Sequence, residues 1–183
     1  MNCSQMTAAE VENLFKQKFE NYTIEVSARD QVPQTISGAD ISYQYLSTGE
    51  VLKLLKQQKP YEWIKGLYEQ KSYTVSENTG YNRTQLQEQL KTLSCAQAEN
   101  QTEPENAYVA YQNGQFVIVP ETVGSKLNIK EAYKVLNAAV DAGQTSVNFS
   151  DTPEAYVNAE VTQDDPALQS ALEACNNYTK ASI

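Results

Sequence analysis

Residues 107–124, AYVAYQNGQFVIVPETVG, decide the fold. Two runs rich in Val, Ile, Tyr and Phe, 107–111 and 115–119, flank Asn113-Gly114. Asn-Gly is the pair that most readily supplies positive φ at both centres of a two-residue hairpin turn, so the stretch predicts a tight β-hairpin. Pro120 to Gly124 carries the chain out of it. Asn128 then opens a helix whose Ile129, Ala132, Tyr133, Leu136 and Val140 recur at helical spacing until Gly143 stops it. Ser146 to Phe149 reads as a strand, and Tyr156 to Val161 as another. Asp165-Pro166 starts a last helix, with Asp as cap, Pro at the first helical position, and Leu168, Leu172 and Cys175 inward.

Upstream, Thr7-Ala8-Ala9-Glu10 is a capping box that opens a helix with Val11, Leu14, Phe15 and Phe19 on one face. Tyr22 to Val26 shortens the period to two. After the turn-prone Ser27 to Pro33, a second extended run passes Thr35 and Ile36 into Ser37-Gly38-Ala39-Asp40-Ile41, which predicts another hairpin. Short helices are expected at Gly49 to Lys56, closed by Pro60, and at Tyr61 to Tyr68, with a strand at Tyr73 to Val75. Asn82 caps a helix bearing Leu86, Leu90 and Leu93. The reading is α+β, with antiparallel hairpins packed against several helices. The polar stretch 96–106 is the best linker, which divides the chain into an N-terminal segment, 1–96, and a second half, 97–183; one continuous domain is the alternative.

Composition excludes more than it identifies. With 40% hydrophobic and 20% charged residues the chain should fold rather than remain disordered. A net charge of −9 repels phosphate backbones, so neither nucleic acid nor an anionic membrane is an expected partner. No apolar run is long enough to span a bilayer, so the protein is expected to be either cytosolic or a segment whose export signal lies outside this chain. The absence of histidine removes the commonest general base, the usual nitrogen ligand for metals and the middle member of most nucleophilic triads. The glycines are too scattered for a phosphate loop, and the three cysteines too scattered for zinc, so no cofactor and no metal are expected. A carboxylate-only hydrolase would have to draw on Glu103/Glu105, Asp151/Glu154 or Asp164/Asp165, all in predicted loops or caps. Cys95, just after one helix, and Cys175, on the apolar face of another, are either small core residues or a disulfide pair.

The run Tyr108 to Glu121, then Gly124, then the helix from Ile129 resembles the peptidoglycan-binding domain found upstream of L,D-transpeptidase catalytic domains and in VanW-type surface proteins. That family reads as a hairpin, a Val-Pro-Glu-x-x-Gly turn and a helix. Phe19 to Tyr45, with Tyr22-Thr23-Ile24, Arg29-Asp30 and Ile36 to Ile41, is similar to the segment preceding that domain, and Trp63 and Tyr81 fall at matching places. The resemblance implies a bacterial cell-wall protein, membrane-anchored in its full length, whose catalytic domain lies downstream. It also implies peptidoglycan or its stem peptides as partner, and a non-catalytic role for this segment, because the His-Gly and Ser-His-Gly-Cys-Arg elements of the transpeptidase are absent. A glycan-peptide ligand calls for aromatic platforms and a few polar groups. Tyr61, Trp63, Tyr68, Tyr108 and Tyr111 are the candidate platforms, each with a core position as the competing reading. Glu121 is a candidate for a ligand amine or for fixing the turn. A purely structural spacer is the rival function.

Overall fold

A computed structural model describes residues 6–46, Gly49, Lys53, Lys56 and residues 79–181. The expected helices around Leu52 and Trp63 and the strand at Tyr73 to Val75 lie essentially outside these residues. The architecture is α+β, and the chain divides into two compact units: Met1–Ile24 with Thr35–Gln89, and Glu25–Gln34 with Leu90–Ile183.

In the first unit, helix α1 (Ala8–Glu20) starts at a complete capping box: Thr7 Oγ1 accepts the Glu10 N–H, and a Glu10 carboxylate oxygen accepts the Thr7 N–H at 2.7 Å. Val11 and Phe19 are buried from it. Strand β1 (Thr23–Ser27) begins in this unit and β2 (Gln34–Ser37) ends in it. The extended run expected through Ile41 stops at Ser37, and Gly38–Ile41 is a 3-10 turn. The cause is local. Ser37 Oγ accepts the Ala39 N–H and Asp40 Oδ2 accepts the Ser37 N–H, so a Ser-x-x-Asp capping box outcompetes strand geometry. Ser42 follows with φ 53°, and β3 (Gln44–Tyr45) pairs antiparallel with β4 (Thr79–Gly80). The core here is aromatic. Tyr22 stacks on Tyr43 at 4.1 Å between ring centroids, and Phe19 stacks on Tyr45 at 5.7 Å.

Helix α2 (Arg83–Thr92) leads from the first unit into the second. Asn82 Oδ1 caps it by accepting the Thr84 and Gln85 N–H groups, and Leu86, Leu90 and Leu93 are buried as the spacing predicts. The stretch 96–106, expected as a linker, lies within the second unit and is tied down by its own hydrogen bonds, described below. Strands β5 (Tyr108–Gln112) and β6 (Gln115–Val119) form the hairpin, with positive φ at both Asn113 and Gly114. Helix α3 (Ile129–Asp141), capped by Asn128, buries Ala132, Leu136, Ala139 and Val140. It is followed by β7 (Ser146–Asn148), which runs parallel to β1 with Val26 opposite Val147. This parallel pair was not legible as such in the sequence. Phe149 is fully buried in this core; a phenylalanine so placed contributes about 1.5–3 kcal/mol relative to exposure.

The strand expected from Tyr156 to Val161 shrinks to one bridge, Tyr156 to Leu127. The remaining donors are taken by other groups. The Val157 N–H goes to the Lys126 carbonyl, and Asn106 Oδ1 accepts both the Glu160 and Val161 N–H groups. Helix α4 (Pro166–Ala181) starts at Asp165, whose Oδ1 accepts the Ala167 N–H, and packs on the hairpin through half-buried Leu168, Leu172 and Cys175.

Candidate functional site

Three loops of the second unit converge on one arginine. Arg29 sits in the turn after β1, beside Asp30, whose φ of 56° bends the backbone. The Arg29 N–H donates to the Tyr156 hydroxyl at 2.9 Å, its guanidinium lies 3.9 Å from the centre of the Tyr156 ring, and Nη1 donates to the Gly124 carbonyl at 3.1 Å. Tyr156 itself is buried, while Arg29 is half-buried. The Gly124 loop is in turn clamped to 101–106. Thr102 gives its N–H to the buried Ser125 Oγ, and its carbonyl accepts the Ser125 and Lys126 N–H groups. Lys126 Nζ pairs with Glu103 at 2.6 Å, and Glu105 bridges Thr122. Arg29 is thus held by the Tyr156 and Gly124 loops, the second of which is itself tied to 101–106 through Thr102, Ser125 and Lys126.

Glu121 also serves this scaffold. A carboxylate oxygen accepts the Gln163 N–H at 2.7 Å and pins the loop before α4. Its anchoring partner is 42 residues away rather than in the turn that follows it. The other acidic candidates are engaged at the surface: Glu103 with Lys126, Asp165 as a helix cap, while Asp151 and Glu154 are exposed.

Tyr108 and Tyr111 are exposed, at 54% and 60%, but they do not make one platform. Three residues apart on a strand, they project from opposite faces of the hairpin. Tyr111 packs across the ladder on Phe116, with ring centroids 5.0 Å apart. On the far edge of β6 the Asn176 amide closes a two-point pair with the Phe116 backbone, accepting its N–H at 2.9 Å and donating to its carbonyl at 3.0 Å. Tyr61, Trp63 and Tyr68 lie outside the described residues.

In the first unit an open depression of about 500 Å³ is lined by Ser42, Gln44, Leu46, Gly80, Tyr81, Asn82 and Arg83. Its lining mixes the polar side chains of Ser42, Gln44, Asn82 and Arg83 with Leu46 and the Tyr81 ring, whose centre lies 6.2 Å from that of Tyr43. Cys95 and Cys175 are both free thiols in the structure, Cys95 buried and Cys175 half-buried, so the Cys95–Cys175 pair is not bonded there. Burial pushes the Cys95 thiol above its ordinary range. Among the described residues no three His, Cys, Asp or Glu side chains cluster, and no helix is long and apolar enough to cross a membrane.

A family model described as "Putative peptidoglycan binding domain" matches residues 34–148. The chain belongs to this family. The peptidoglycan-binding domain so defined contains the hairpin, Glu121, Gly124 and the depression around Tyr81, while Arg29 and Tyr156 flank it on either side. No curated protein and no solved structure matches the chain. The link between Arg29 and Tyr156 is not legible in the sequence because it joins positions 127 residues apart. The available signal was an arginine in a turn-prone stretch of a strongly acidic chain.

Proposed function

We propose that this chain is a non-catalytic module that binds peptidoglycan or positions it for an enzyme. The observation that carries the reading is the family match over residues 34–148. The wider setting follows from the resemblance in sequence. The protein works outside the cytoplasm, in the cell wall, is membrane-anchored in its full length, and serves a downstream catalytic domain of the L,D-transpeptidase type. The open depression of mixed polarity that Tyr81 and Arg83 help to line suits a ligand made of sugar and peptide. A chain without histidine has little equipment for acid–base catalysis, which favours an accessory role.

The test is co-sedimentation of the purified chain with intact sacculi, with and without their teichoic acids, at physiological salt. Saturable binding that survives teichoic acid removal is the expected result. No sedimentation at high protein concentration would turn the reading to a spacer that sets the distance between anchor and catalytic domain.

A further inference from the structure

We propose that Arg29 is the anchor of a binding site for a peptide carboxylate. The inference rests on the wall-binding reading for its choice of ligand, and on the geometry around Arg29 for the site. In a chain with 23 acidic and 14 basic residues, a half-buried arginine would ordinarily be expected to find a carboxylate of its own. Arg29 has none among the described residues; its interactions are the Gly124 carbonyl, the Tyr156 hydroxyl on its backbone N–H, and the Tyr156 ring beneath its guanidinium. Lys126 and Lys134, by contrast, are each paired with a glutamate.

A guanidinium carries five N–H donors in one plane. One of them serves Gly124, and the guanidinium is further restrained by its contact with the ring of buried Tyr156, 3.9 Å from the ring centre. Holding an arginine still loses rotamer freedom, and here the loss is already taken in the unbound protein, which is the condition for tight two-point recognition of a planar oxyanion. The net charge of −9 disfavours polyphosphates, so a singly charged carboxylate fits better than a teichoic acid. Each loop also carries an exposed valine next to the arginine's contacts: Val123 beside Gly124, Val157 beside Tyr156, and Val32 in the Arg29 loop. Val123 and Val32 are 68% and 79% exposed, and exposed apolar side chains on the same loops as the arginine and its partners suit the methyl groups of alanine residues. A stem peptide ending in alanine combines that methyl with a free carboxylate.

The experiment follows the Arg29 Nε–Hε resonance of the ¹⁵N-labelled chain during titration with a synthetic stem peptide ending in D-alanine. Its C-terminal amide, glycerol 3-phosphate and chitotetraose are parallel titrants. Saturable movement with the acid, at least tenfold weaker with the amide and absent with chitotetraose, is the expected result. Arg29→Lys, which keeps the charge but not the planar fork, should weaken the peptide at least tenfold in a variant whose ¹H–¹⁵N spectrum away from Arg29, Gly124 and Tyr156 keeps the native pattern. An Arg29 resonance that ignores the acid, that responds equally to the amide, or that follows glycerol 3-phosphate at the same concentration would overturn the inference. Sacculi that sediment the chain while the peptide leaves Arg29 unmoved defeat the carboxylate site and leave the wall reading intact. Peptide binding at Arg29 without sedimentation supports the site and removes the wall reading alone.

Discussion

A Cβ added to Gly124 would stand 2.5 Å from the carbonyl oxygen of Thr102, with the Pro104 nitrogen at 2.6 Å. Both neighbours are backbone, and the Thr102 carbonyl is already fixed by the Ser125 and Lys126 N–H groups, so neither can step aside cheaply. Gly124→Ala should therefore destabilise the chain by about 1–3 kcal/mol. Thermal unfolding followed by circular dichroism should show the midpoint falling by several degrees, and an unchanged midpoint would mean that the loops are not clamped in this way.

Asn176 satisfies both backbone groups of Phe116 on the edge of β6. Asn176→Ala frees them, at a loss of about 1–3 kcal/mol. The sharper readout is hydrogen exchange: the Phe116 amide should exchange at least about tenfold faster in the variant, the equivalent of some 1.4 kcal/mol of local opening, while the Leu136 amide keeps its rate.

Burial, with the neighbouring Tyr43 hydroxyl as the smaller cause, pushes the Tyr22 phenol up from 10.0 to about 12. A phenol whose folded value is raised favours the native state while it stays neutral. Its contribution is complete below pH 10 and is lost as pH rises from about 10 towards 12. Denaturant midpoints measured from pH 8 to 12 should fall through that window, and Tyr22→Phe should flatten the fall.

Iodoacetamide at pH 8, read by peptide mapping that separates these two cysteines from Cys3, should modify Cys175 well before Cys95, because Cys95 is buried and its thiol is held protonated. Both should alkylate after denaturation without reductant. If neither reacts until reductant is added, the two cysteines are joined and the free thiols of the structure are not the state in solution.

Local chemistry made the hairpin legible. Asn113-Gly114 states its turn outright, and the caps at Thr7, Asn82, Asn128 and Asp165 mark four helix starts from side chains that hydrogen-bond within three residues. Ser37 carries the same kind of signal, but the apolar Ile36 and Ile41 on either side of it also fit a continuing strand. The strand expected at Tyr156 to Val161 failed for a different reason, since only the fold reveals that Asn106 consumes its backbone donors. The opposite faces of Tyr108 and Tyr111 follow from their odd spacing and could have been read directly. Arg29 could not, because its role depends on Tyr156 and Gly124, which no short-range pattern connects to it.

The chain passes between the two units at Ile24–Glu25, Gln34–Thr35 and Gln89–Leu90. Each unit is therefore assembled from separated stretches, and the ten residues from Glu25 to Gln34, Arg29 among them, belong to the later unit while being encoded inside the earlier one. No single cut in the gene frees one unit from the other: a cut after Gln89 leaves the first unit with residues 25–34 of the second attached, and a cut after Ile24 leaves the second with residues 35–89 of the first. A chain carrying only one unit's residues therefore has to be made by joining two separated stretches, not by truncation.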